Sequence, residues 1–205
     1  MLATLDSCAT KLGPFDPQTV TVANQLAIAY WNAGETNQAI SILNRALDGI
    51  EAAAGGEHQA RIHLLGTLGR IMTEEAHWEQ AGVVFGEILD LCTQQYGAQH
   101  ASSLAAKGDL ATVLFESGKS VEAAELEREA LAGAHMFLGR RHPVTCVLTW
   151  NRGLRFEREA GTRLADAMAD LLWLLAEEDA SLDADQKEIR AMLANRLNWG
   201  SPHAC

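Results

Sequence analysis

A period of 42 residues runs through this chain and holds its phase for four copies. Glycine recurs at Gly13, Gly55, Gly97 and Gly139, and alanine at Ala39, Ala81, Ala123 and Ala165. The small residues Ala27, Gly69, Ala111 and Gly153 keep the same step. A repeat of this length means one supersecondary unit stacked on copies of itself, with a core spread along the stack instead of gathered at one centre. Such arrays present long surfaces, so the question the sequence raises is what docks on them.

Inside each unit the apolar spacing is helical. Asp16 can cap a helix whose first turn holds Pro17. Ala23, Leu26, Ala27 and Tyr30 fall on one stripe before Gly34 ends it, and Ala39, Ile42, Leu43, Ala46 and Leu47 form a second stripe. The later pairs are expected near 58–75 with 78–95, 100–117 with 120–137, and 143–160 with 162–179. The small columns have a mechanical reason: two helices approach closely only where one side chain is nearly absent. Larger residues fill the neighbouring turn, at Tyr30, Met72, Leu114 and Phe156.

The two ends differ. Residues 1–11 match residues 43–53 at the same offset, Leu5 with Leu47 and Asp6 with Asp48, so the chain opens on the tail of a second helix. That end could stack on another subunit or on further repeats. At the other end Ile189, Met192, Leu193, Leu197 and Trp199 make an amphipathic helix suited to capping the stack. The units are therefore 12–53, 54–95, 96–137 and 138–179, with a capping helix over 180–199 and a flexible tail over 200–205.

In these columns the chain resembles the tetratricopeptide repeat family, in its long 42-residue form found in kinesin light chains and many bacterial proteins. Leu12-Gly13-Pro14-Phe15-Asp16-Pro17, echoed by Leu138-Gly139-Arg140-Arg141-His142-Pro143, is similar to the loop of that form. The resemblance covers about residues 1–179. It implies an all-α protein, a right-handed superhelical solenoid of antiparallel helix pairs with about four repeats plus a C-terminal capping helix. The fourth copy departs from the pattern where Arg152 replaces Leu26, Leu68 and Leu110. Propeller blades share the period but need strands. Armadillo-like and HEAT units are the closer rivals, and the paired small-residue columns argue against them.

Composition narrows the function. The net charge of -11 would repel a phosphate backbone, which argues against nucleic-acid binding. No apolar run reaches the ~20 residues of a membrane span, and residues 1–11 do not read as a signal peptide, so the cytoplasm is the default address. Cys8, Cys92, Cys146 and Cys205 have neither disulfide-framework nor metal-site spacing. Gly118-Lys119-Ser120 copies the end of a phosphate loop but lacks the earlier glycine and the strand that loop needs. His58, His100 and His142 share one column with Asp16. Successive units lie ~10 Å apart, too far to share one ion, so these residues read as loop closers. Carboxylates such as Glu122, Glu125, Glu127 and Glu129 read as solvated surface. Nothing in the sequence argues for an enzyme, a cofactor or a metal.

The family resemblance implies that the first helix of each pair lines the concave wall. The inward residues are then Asn24, Gln25, Ile28, Trp31 and Asn32; His63, Thr67, Arg70, Thr73 and Glu74; Asp109, Thr112, Phe115 and Glu116; and Trp150, Asn151, Leu154, Glu157 and Arg158. The column Gln25, Thr67, Asp109 and Asn151 stands where the long form often carries asparagine to grip a peptide backbone; Asn151 alone keeps that residue. Trp31, Phe115 and Trp150 could form pockets for peptide side chains. Glu74, Asp109, Glu116 and Glu157 outnumber Arg70 and Arg158, which favours a neutral to basic partner. The Lys, Asn and Arg set with which some relatives clamp a terminal carboxylate is absent. The arginines Arg140, Arg141, Arg152, Arg155, Arg158 and Arg163 are expected to pair with neighbouring acidic helices. The leading expectation is a non-catalytic adaptor or scaffold that binds a protein segment in its groove. The alternatives are an assembly module that self-associates through its first half-repeat or extends a larger array, and a small-ligand sensor or atypical enzyme.

Overall fold

The computed structural model describes residues 2–13, 16–52, 58–160 and 168–197. Its helices follow the sequence period: α1 (Leu2–Leu12), α2 (Pro17–Asn32), α3 (Thr36–Ala52), α4 (His58–Glu74), α5 (Trp78–Tyr96), α6 (Ala101–Glu116), α7 (Ser120–Gly133) and α8 (Pro143–Ala160). A five-residue π-helical turn, Ala134–Leu138, extends α7. After α8 come the 3-10 segments Ala169–Ala176 and Asp179–Ser181, and then α9 (Ala184–Arg196).

Local chemistry sets the boundaries. The Asp16 carboxylate accepts the Gln18 backbone N–H at 2.8 Å, and Pro17 opens α2. In the same column His100 and His142 do the same work with imidazole. Each Nδ1 accepts a backbone N–H two residues on, from Ser102 and from Val144, at 3.2 Å in both cases. The repeating glycine is required by the backbone: φ is 94° at Gly13, 90° at Gly97 and 86° at Gly139, where a Cβ would be strained. Gly55 lies outside the described residues.

The small columns mark close approaches. Ala23, Ala27, Ala39 and Ala81 are fully buried. A Cβ added to Gly69 would sit 2.9 Å from Phe85 Cζ, so the Phe85 ring fills the space over this glycine where α4 meets α5. Ala165 lies outside the described residues. Among the described residues, buried apolar side chains form three clusters in succession. One runs from Leu5 through α2–α5 to Ala106, one joins Leu104, Leu131 and Leu148, and one joins Cys146, Trp150, Met168, Leu171, Leu174, Ile189 and Leu193. This is the distributed core of an all-α superhelical solenoid.

The stack has a sense of curvature. Each helix packs on the next, and in addition α2 packs on α4 and α6 on α8. The second helices α3, α5 and α7 approach one another less closely. The crowding of α2 with α4 and of α6 with α8 falls on the side where the family resemblance places the concave face.

The last unit differs from expectation. The apolar spacing predicts a helix over 162–179; residues 161–167 lie outside the described residues, and Ala169–Ala176 is a 3-10 helix. Its buried residues explain the change. Met168, Leu171 and Leu174 are spaced by three, which a three-residue turn stacks on one line. The expected C-terminal helix is α9, opened by a reciprocal capping box between Asp183 and Gln186. The Gln186 amide also donates to the Arg141 carbonyl at 2.7 Å, fastening α9 to the loop before α8. Trp199 and the tail 200–205 lie outside the described residues. No described helix is long and apolar enough to cross a membrane.

Candidate functional site

Two clefts between first helices bear on the expected residues. The first, about 520 Å³, lies between α6 and α8, with α7 and Arg196 of α9 at its edges. It brings together seven of the expected residues: Thr112, Phe115, Glu116, Asn151, Leu154, Glu157 and Arg158. The Thr112 hydroxyl donates to its own helix at the Gly108 carbonyl, 3.0 Å away, and so offers a ligand only acceptor capacity. The Asn151 amide makes no hydrogen bond among the described residues, so its donors and acceptor remain available. The Arg158 guanidinium lies 4.8 Å from the centre of the Phe115 ring, covering one aromatic face.

Charge in this cleft is matched internally. Arg158 pairs with Glu116 at 2.8 Å, Arg196 with Glu157 at 2.5 Å, and Arg155 with Glu127. Arg155 also meets Glu159 at 2.8 Å. Its pairing with Glu127 raises its pKa further, so it stays charged throughout. Three guanidiniums and three carboxylates line the cleft, so its field is close to neutral.

The second cleft, about 550 Å³, lies between α4 and α6. These two first helices approach less closely than α2 with α4 or α6 with α8. Gly66 faces the gap, and a Cβ added to it meets nothing within 4 Å. Arg70 and Asp109 line this cleft, with Thr73 and Glu74 beside them and Ile62, Ile88 and Ala106 as apolar wall. Arg70 is committed elsewhere, its guanidinium 5.3 Å from the Trp31 ring centre. Asp109 has no ion pair or hydrogen bond among the described residues. Asp109 is exposed and water reaches its carboxylate, while the density of protein around it pushes its pKa up to about 6. A guanidinium in contact would have lowered it.

The remaining expected residues are scattered. Gln25 is exposed, Ile28 and Thr67 are half-buried, and none of the three lines either cleft. Two expectations are corrected. Asn24 and Trp150 are each only 5% exposed and do not reach the groove surface. They share a column with Gly66 and Gly108, and at Gly108 an added Cβ would lie 2.1 Å from Leu148 Cδ2. That column therefore faces the next unit. In α8 the Trp150 indole packs into the last core cluster with Met168 and Leu174.

Sequence reasoning does not single out Arg155 and Glu127 as a pair. Arg155 stands in the column of Ile71 and Val113, and Glu127 in that of Leu43 and Phe85. Two apolar columns turn charged with opposite signs in adjacent copies, Glu127 in the third and Arg155 in the fourth, 28 residues apart. That coincidence is the available signal. The other arginines pair as expected: Arg140 with Asp170 at 3.5 Å and Arg141 with Glu177 at 2.8 Å. Arg152 lies half-buried, its guanidinium 5.9 Å from the Phe156 ring centre, and Arg163 falls outside the described residues.

Two models of the tetratricopeptide repeat match the chain, over residues 18–82 and 103–144. Among solved structures, the BtubC protein (BKLC) of P. vanneervenii superposes with a TM-score of 0.70 at 15% identity, covering 96% of this chain and 82% of its own. A putative kinesin light chain of Podosopora anserina with nearly identical TPR-like repeats, in a form carrying one substitution, gives 0.62 at 19% identity, covering 89% and 86%. The same protein without that change gives 0.59 at 18%, covering 88% and 87%. No curated protein sequence matches the chain.

Proposed function

The chain belongs to the tetratricopeptide repeat family, and from that premise we propose that its concave face binds an extended segment of another protein and performs no chemistry of its own. The observation that carries this reading is the cleft between α6 and α8. There the unpartnered amide of Asn151 sits among Thr112, Phe115 and Leu154. An extended segment brings unpaired backbone N–H and C=O groups, and a side-chain amide can satisfy one of each. Phe115 and Leu154 offer apolar area to an alternate side chain of the same segment. The paired charges leave this cleft close to neutral, which suits an uncharged stretch of the segment, and the preference for a basic residue rests on Glu74 and Asp109 in the neighbouring cleft.

The test is a display library of random twelve-residue peptides, followed by anisotropy titration of the selected sequences. Asn151→Ala and Phe115→Ala are expected to weaken binding by about two- to tenfold each, the worth of one net hydrogen bond or a modest apolar contact. Circular dichroism should remain that of the parent. A library that yields no binder, or two variants that bind like the parent, would refute the reading.

A further inference from the structure

We propose that the cleft between α4 and α6 selects one lysine or arginine of the bound segment, its cationic head at Asp109 and its aliphatic stem along Ile62, Ile88 and Ala106. This rests on the groove reading above and says what that groove discriminates.

The argument is one of unmatched charge inside a shaped space. Along the concave face the cationic groups are already satisfied. Arg70 lies over Trp31, and Arg155, Arg158 and Arg196 are each paired with a carboxylate. Asp109 has no such partner among the described residues, and neither has Glu74 on the facing wall of the same cleft. The cleft is a real volume, about 550 Å³, opened because α4 and α6 stand apart and Gly66 leaves the gap unfilled. Its apolar wall suits the methylene stem of a long basic side chain, which buries its stem and keeps its charge at the polar end. Crowding disfavours the ionised carboxylate at Asp109, with a pKa of about 6, so a cation arriving there relieves a standing electrostatic cost.

The repeat geometry fixes a spacing as well. Asp109 and Asn151 are the same position in successive units. Neighbouring helices pack ~10 Å apart, and an extended chain advances ~3.3 Å per residue. The basic residue therefore lies about three positions from the residue that meets Phe115 and Leu154.

The experiment uses the full chain and the same random peptide library, read as position-by-position enrichment for the parent, Asp109→Asn, Asp109→Lys and Gly66→Leu. The parent should enrich lysine or arginine at one position. Asp109→Asn should lower affinity for the selected peptides about tenfold or more, the loss of one charged hydrogen bond. Asp109→Lys should shift the preference at that position to aspartate or glutamate. Gly66→Leu, which fills the gap and favours the helix, should disfavour any long side chain there. Helicity by circular dichroism confirms that each variant folds. Selected peptides with no basic preference, or a preference that survives both Asp109 variants, would overturn this inference and leave the groove reading standing. A parent that selects nothing would overturn both.

Discussion

The pair Arg155 and Glu127 supplies a sharp test of how the units are held together. The two side chains are 16% and 13% exposed, between an open surface pair and a buried one. Two unit charges about 4 Å apart attract by about 4 kcal/mol at an effective dielectric near 20. Desolvation offsets much of that. Breaking a fully buried pair costs about 3–5 kcal/mol, whereas an exposed pair is worth about 0–1. Here Glu159 remains beside Arg155 at 2.8 Å and takes up part of the loss. Glu127→Leu alone should therefore cost about 2 kcal/mol, or a fall in Tm of about 4–8 °C for a chain of this size. Arg155→Ile alone should cost a similar amount by stranding Glu127. In the first units these positions are Leu43 and Ile71, both 0% exposed. Installing both residues together should restore the apolar junction and return stability to within about 1 kcal/mol of the parent. Urea denaturation of the four proteins gives the coupling energy, expected at about 1.5–3 kcal/mol. A double variant whose loss equals the sum of the single losses within about 0.5 kcal/mol would refute the reasoning.

Three further outcomes follow from single residues. Ala76 holds φ at 58° where the equivalent residues are Gly34 and Gly118, so Ala76→Gly should stabilise the chain by about 1 kcal/mol in urea titration. His100→Ala should remove the cap on α6 and cost about 1 kcal/mol, while His100→Asp should keep it, as Asp16 does for α2; equal losses would exclude a capping role. For Asp109 the folded pKa, about 6, lies above the unfolded value of about 3.9, so the folded chain binds the extra proton between them. Its contribution is therefore fully present below pH ~4 and is lost as pH rises through ~6. Because solvent reaches the carboxylate, the loss is expected at about 1 kcal/mol or less. Asp109→Asn should flatten that part of the stability curve, and an unchanged slope would contradict the assignment.

Much of the fold was legible because the period repeats its own controls. Four copies of each column average out the local ambiguities that trouble one helix, and Gly13, Gly97 and Gly139 recur because the backbone at φ near 90° permits little else. The fourth unit was less legible since its second segment shares the period but not the winding; spacing by three at Met168, Leu171 and Leu174 was the cue. Phe115, Asn151 and Leu154, whose columns are polar or variable across the copies, come together along one cleft. Asn24 and Trp150 were misplaced because a first helix is crowded on two sides, by its own partner and by the next first helix. Only a narrow arc of it is left to solvent. In that same column Gly108 marked the crowded side, with Leu148 against it. The gap between α4 and α6 could not be read, because it depends on how far two helices diverge and not on the identity of any one residue.

A core divided into three successive clusters also changes how the chain yields to force or heat. Losing one cluster uncovers only the flank of its neighbour, so fraying from an end costs a fraction of what dismantling the whole would require. Whatever lies lengthwise across α4, α6 and α8 ties segments that would otherwise loosen separately. Such an occupant acts as a splint, and its grip is felt as slowed amide exchange in helices it never touches.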